Sequence, residues 1–129
     1  VIERLDHLVL TVRDMEATLD FYTRVLRMEA ITFGAGRKAL RFGQQKINLH
    51  QAGAEFEPKA AKPTPGSADL CFITRTPLMN VVAHIEACGV TIEVPPSSRE
   101  GALERIQSIY LRDPDGNLIE ISNYESDGA

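Results

Sequence analysis

Four polar side chains stand at matched places in runs that are otherwise apolar: His7 in Asp6-His7-Leu8-Val9-Leu10, Asn48 in Ile47-Asn48-Leu49, Asp69 in Ala68-Asp69-Leu70-Cys71-Phe72, and Glu120 in Ile119-Glu120-Ile121. An ionisable ring among Leu5, Val9 and Thr11 requires a partner, so His7 is a candidate ligand or catalytic group, with a buried structural histidine as its plain alternative. Glu120 is a candidate of the same kind; its alternative is an edge-strand carboxylate facing solvent. For Asp69 the alternative is a hydrogen-bonded or salt-bridged residue. Cys71 shares the face of Asp69, but no adjacent basic residue lowers its pKa, and inert packing is the better reading. His84 lies off the apolar stripe of its helix and is expected to be exposed.

These residues need elements to hold them. Leu5 to Val12 alternates with period two, placing Leu5, His7, Val9 and Thr11 on one face of a strand. Asp14 is a good N-cap, and Met15, Leu19, Tyr22 and Leu26 follow on one helical stripe, so a first helix runs to about Leu26. Short strands are expected near Glu29 to Phe33, Lys38 to Phe42 and Lys46 to His50. Periodicity stops from Gln51 to Gly66, where prolines and lysines mark a linker or surface loop. It restarts with a strand at Ser67 to Thr74 and a helix capped by Thr76, opened by Pro77 and closed by Gly89. Strands at Val90 to Val94, Ile106 to Leu111 and Leu118 to Ser122 follow, the last two joined through Asp113-Pro114-Asp115-Gly116.

The order β-α-β-β-β therefore occurs twice, and either half alone leaves an open sheet with one helix, so the halves must pair. In register, His7 corresponds to Asp69 and Asn48 to Glu120, and two concave sheets meeting would enclose all four. The chain has 129 residues, 43% hydrophobic and 25% charged, which suits one folded domain. Its net charge is −4 and its 14 basic residues are scattered, so the footprint of a nucleic-acid binder is missing. No apolar run reaches the roughly 18 residues of a membrane span. Two cysteines on core-like segments suit a reducing cytoplasm, and a soluble, cytoplasmic protein is expected. Gly34-Ala35-Gly36-Arg37-Lys38-Ala39 fits a loose dinucleotide pattern, but it leads into another short strand where a nucleotide loop must open a helix.

The runs DHLVLTV, FYTRVL and above all YLRDPDGNLIEI resemble the vicinal oxygen chelate superfamily, which includes glyoxalase I, extradiol dioxygenases, fosfomycin-resistance transferases and bleomycin-binding proteins, over roughly Arg4 to Ser122. More narrowly, FGQQKINLH and PTPGSADLCFIT are similar to glyoxalase-domain-containing protein 5 and its bacterial virulence-associated relatives. The resemblance implies an α+β fold of two tandem βαβββ modules whose curved sheets form a cup. One glyoxalase-like domain is expected over 1–129, with module one at about 4–50, a linker at 51–66 and module two at about 67–122. Relatives of this length pair as homodimers that complete each cup.

The resemblance further implies a divalent metal held from the first and last strands of the modules, at His7, Asn48, Asp69 and Glu120. The sequence departs from the usual sets, because Asp69 replaces a second histidine and Asn48 is a weak neutral ligand. His7, Asp69 and Glu120 are the expected ligands, with Asn48 beside them. Such an oxygen-rich set favours Mn, Mg or Fe over a tight Zn site, with Ni also open. His50 shares a face with Asn48 but is displaced by roughly 6.6 Å of strand, and it is read as surface, pocket wall or, least, ligand. By the same analogy Ser108 and Tyr110 look into the cup, where Tyr110 would orient or protonate a substrate oxygen, with a packing tyrosine as its alternative, and Glu120 would serve as base. If left-handed, Arg27, at a place where relatives often carry Gly, costs on the order of 1 kcal/mol. The implied function is a metal-dependent lyase, isomerase or dioxygenase acting on a small oxygen-bearing substrate. The alternative is a metal-free binding or drug-sequestering protein of the bleomycin-resistance type.

Overall fold

In the computed structural model, residues 1–127 are described. The chain divides into two compact units, Val1–Ala68 with Pro114–Gly116, and Asp69–Asp113 with the segment from Asn117 onward. The first contains β1 (His7–Val12), α1 (Met15–Asp20) continued by a π-helical turn at Phe21–Val25, β2 (Glu29–Phe33), β3 (Arg37–Phe42) and β4 (Gln45–Gln51). The second contains β5 (Asp69–Ile73), α2 (Leu78–Ala87), β6 (Val94–Glu100), β7 (Arg105–Arg112) and β8 (Leu118–Tyr124). The sheets run β1-β4-β3-β2 and β5-β8-β7-β6. In both, the first strand lies parallel to the last, and the other neighbours are antiparallel. The twice-repeated βαβββ module is therefore present, and no helix among the described residues is long and apolar enough to cross a membrane.

Each sheet buries one face. In the first unit Leu10, Val12, Leu40, Ile47 and Leu49 are buried, as are Phe21, Tyr22 and Val25 beside them. In the second, Ile109, Leu111, Ile119 and Ile121 are buried with Leu78 and Ile85 of α2. The opposite faces carry the polar residues singled out above. The Gly34 to Ala39 run is the β2–β3 hairpin, with Gly34 and Gly36 at positive φ, and it leads into a strand rather than opening a helix.

Four local expectations need correction. Asp14 does cap α1, accepting from Ala17 N–H at 3.1 Å, but the buried stripe is Thr18, Phe21, Tyr22 and Val25, while Met15, Leu19 and Leu26 are only half-buried. Thr76 does not cap α2: Asn123 of β8 does, accepting from Leu78 N–H at 2.8 Å and donating to Thr74 O and Thr76 O. The sixth strand is Val94–Glu100 rather than Val90 to Val94. It carries Pro95 and Pro96 because it is an edge strand, and its ladder is irregular between Val94 and Ser97. His84 is half-buried rather than exposed, with its Nε2 3.6 Å from Cys88 Sγ.

Arg27 is left-handed, with φ of 60°. Arg27→Gly is expected to relieve the strain and raise the unfolding free energy measured in urea by between zero and about 1 kcal/mol, since glycine also loosens the unfolded chain. Asn123→Ala strips three hydrogen bonds from a buried position. Its expected cost is about 2 kcal/mol or more in the same measurement.

Candidate functional site

The ladder registers assign every candidate to a face. On β1 and β4 the pairs are His7 with Lys46, Val9 with Asn48 and Thr11 with His50. On β5 and β8 they are Asp69 with Leu118, Cys71 with Glu120 and Ile73 with Ser122. His7 thus stands to Asn48 as Asp69 stands to Glu120, each one pair further along its own parallel ladder.

In the second unit the polar face is satisfied around Glu120, although Ser97 Oγ, across the ladder from Ser108, is buried without a partner. Ser108 Oγ donates to Glu120 Oε2 at 2.6 Å and lies 2.7 Å from Ser122 Oγ, which in turn is 3.4 Å from Cys71 Sγ. A hydroxyl has one proton to give, so Ser108 spends its own on Glu120, Ser122 donates to Ser108, and the Cys71 thiol donates to Ser122. The chain of donors ends on the carboxylate. Burial pushes the Cys71 thiol up, and the Glu120 charge adds to that, so the expectation of an unreactive cysteine agrees with its surroundings. Tyr110 pairs across the ladder with Glu120. Burial raises its phenol, and the Glu120 charge and a hydrogen bond to that carboxylate raise it further. Arg99 sits over the ring, 5.2 Å from its centroid. Glu120, Tyr110 and Ser108 are therefore brought together, whereas Asp69 is exposed.

In the first unit the polar face is not satisfied. Asn48 and His50 are buried, and neither Asn48 Oδ1 nor His50 Nε2 has a hydrogen-bond partner. Burial, helped by the Arg37 charge, lowers the His50 pKa, which keeps the ring neutral. Its ring meets Phe56 edge to face at 5.6 Å. Phe33, Phe56, Arg37 and Lys46 were not among the sequence candidates, because what brings them here is the hairpin and the loop after β4 rather than any motif. His7 departs from the buried setting expected for it. Its side chain is 43% exposed, and its Nδ1 lies 2.8 Å from Asp6 Oδ2, so the partner it requires is its own chain neighbour.

That pairing leaves His7 Nε2 available, the arrangement in which a carboxylate orients a ligating histidine. The rest of the implied metal set is not assembled. Each unit supplies two of the four candidate donors, Glu120 already accepts from Ser108, and among the described residues no group of three His, Cys, Asp or Glu side chains is gathered to hold an ion. Among the described residues, neither unit by itself supplies the donors of a metal centre.

The profile of the Glyoxalase/Bleomycin resistance protein/Dioxygenase superfamily matches residues 4–121. The chain belongs to this superfamily. It is 61% identical to virulence protein STM3117 of Salmonella typhimurium over 96% of this chain and 86% of that one. The crystal structure of STM3117 superposes with a TM-score of 0.95, covering 96% of this chain and 98% of that one. Glyoxalase domain-containing protein RDO1 of Mycosarcoma maydis is 54% identical over 96% of this chain and 70% of that one. An integron cassette protein from the mobile metagenome of V. cholerae is 60% identical, with a TM-score of 0.95 and coverage of 97% and 98%.

The Glu120 contact gives a spectroscopic expectation. Tyr110 ionises above the ordinary tyrosine range, and Glu120→Gln, by removing the negative charge, lowers its pKa without restoring the ordinary value, because burial persists. Ultraviolet titration of each protein against its Tyr110→Phe counterpart isolates this one phenol.

Proposed function

We propose that this protein binds a small molecule on the polar face of its first sheet and does so without a metal. The observation that carries the reading is the pair of buried, unpartnered atoms, Asn48 Oδ1 and His50 Nε2. A buried polar atom left unpaired costs about 1–3 kcal/mol, and a protein keeps such a cost where a ligand removes it. Sequestration of a small oxygen-bearing compound, the bleomycin-resistance type of function, asks for no more than these groups supply.

Two consequences follow from the same atoms. Asn48→Leu is expected to stabilise the unliganded protein by about 1 kcal/mol in urea denaturation, since it replaces an orphaned acceptor with a side chain of similar size. It also removes binding. Ligand-observed NMR with a mixed set of neutral, cationic and anionic fragments, in the presence of EDTA, should give hits with the wild type that vanish in Asn48→Leu and weaken in His50→Leu. No hits, or hits indifferent to both substitutions, would sink the reading.

A second reading, a metal-assisted lyase, isomerase or dioxygenase with His7, Asp69 and Glu120 as ligands and Tyr110 at the substrate, is favoured by the Asp6–His7 contact. In that reading a homodimer brings together donors that each unit holds in twos. β1 and β5 are edge strands with Val9 and Ile73 exposed on the faces of His7 and Asp69, a surface suited to cover by a second copy. The reading expects a dimer in sedimentation at micromolar concentration, and Mn²⁺ binding by calorimetry that Glu120→Gln weakens far more than His50→Ala does. A cytoplasmic location is proposed with either reading, supported by two free cysteines.

A further inference from the structure

Four strands lay down three rungs on the polar face of the first sheet, and the middle rung carries a small, fully buried side chain, Ala39, beside Asn48. One rung is Phe33 and Arg37 on β2 and β3, with His50 and Thr11 on β4 and β1. The middle rung is Ile31, Ala39, Asn48 and Val9. The third is Glu29, Arg41, Lys46 and His7. At the place of Ala39 the second module has Tyr110, which pairs with Glu120 as Ala39 pairs with Asn48. The floor beside the unpartnered Asn48 Oδ1 is therefore a methyl group where its counterpart is a phenol ring.

Cations hang over this floor. Lys46 Nζ lies 3.9 Å from the centroid of Phe33, so its stem crosses the middle rung. The Arg37 guanidinium lies 4.6 Å from the centroid of Phe56 and 5.3 Å from that of Phe33. Arg41 is neutralised by Glu29 at 2.6 Å, whereas neither Arg37 nor Lys46 makes an ion pair with a carboxylate among the described residues. Stacking on a ring leaves the edge of a guanidinium free to donate to an oxyanion.

We infer that the ligand is a planar organic anion, a carboxylate at one end and a hydroxyl donor at the other. The inference rests on the binding reading above and names its ligand class. The carboxylate meets Arg37 and Lys46 near His50, the flat skeleton takes the place of the Lys46 stem over Ala39, and the hydroxyl donates to Asn48 Oδ1. Adjacent rungs are two residues of strand apart, about 6.6 Å, so the two polar ends are separated by the width of one aromatic ring.

The test is calorimetry in EDTA with 4-hydroxybenzoate as probe, benzoate lacking the donor, and 4-hydroxybenzyl alcohol lacking the charge. The hydroxybenzoate is expected to bind, and each truncated compound to bind about tenfold more weakly or worse. Arg37→Gln and Lys46→Gln should each cost the hydroxybenzoate a similar factor while leaving the alcohol unaffected; two variants are used so that one poorly folded protein, detected by its thermal melt, does not end the experiment. An alcohol that binds as well as the acid, or an acid indifferent to both substitutions, overturns the inference. If neutral or cationic fragments still bind through Asn48, the anion class alone has failed. If no fragment binds at all, the binding reading falls with it.

Discussion

The structure depends on one arrangement made twice: an edge strand that opens each module is laid parallel against the strand that ends it. Parallel neighbours cannot be tied by a tight turn, so their register must be held by something other than the connection. In the first module β4 holds β1 at both ends. Gln45 Nε2 donates to Leu5 O at 2.9 Å at one end, and Gln51 Nε2 donates to Arg13 O at 2.7 Å and to Val12 O at 3.3 Å at the other. In the second, Asn123 of β8 holds the exit of β5 through Thr74 O while also capping α2. A slip of one residue in either ladder would exchange polar and apolar faces, moving Asn48 or Glu120 to the side where Ile47 and Ile119 are buried.

With register secured, the two modules use equivalent positions for opposite ends. Glu120 is surrounded by groups that answer its charge, a serine hydroxyl at 2.6 Å and the phenol across the ladder. Asn48, its counterpart, faces Ala39 and has an acceptor left open. Ser122 completes a donor chain, while His50 in the matching place is a neutral ring with an unused nitrogen. Around Glu120 the polar face is closed by its own hydrogen bonds, whereas around Asn48 and His50 two polar atoms are left open.

Period-two alternation made the faces legible in the sequence. His7, Asn48, Asp69 and Glu120 fall in equivalent registers because alternation and the internal repeat are properties of local sequence. The β2–β3 hairpin, the Asp14 cap and the closing Gly89 were legible for the same reason. What escaped was set by partners far along the chain. Thr76 has the chemistry of a cap, but Asn123, 45 residues after Leu78, has the geometry. Pro95 and Pro96 speak against a strand unless its outer edge is known to be free. Phe56 lies in a loop without periodicity, so nothing local announced its contact with His50.

The DPDGN turn shows why a strong sequence signal need not be a site signal. Asp113 accepts Asn117 N–H at 2.9 Å and Asn117 Nδ2 at 2.8 Å, closing the turn on itself. Its tip accepts from Arg13, whose backbone N–H lies 3.0 Å from Asp115 Oδ1. Gly66 packs so closely on the same tip that an added Cβ would lie 2.6 Å from Asp115 O, at a φ of +83° that already favours glycine. Aspartates, asparagine and glycine are demanded there by turn geometry, donor count and close approach, all structural reasons. Asn48 and His50, each with one polar atom left unpartnered, carry no such signature, because an unanswered hydrogen bond leaves no mark on local sequence. The more recognisable segment therefore explains the fold, and the less recognisable one is where a ligand has something to complete.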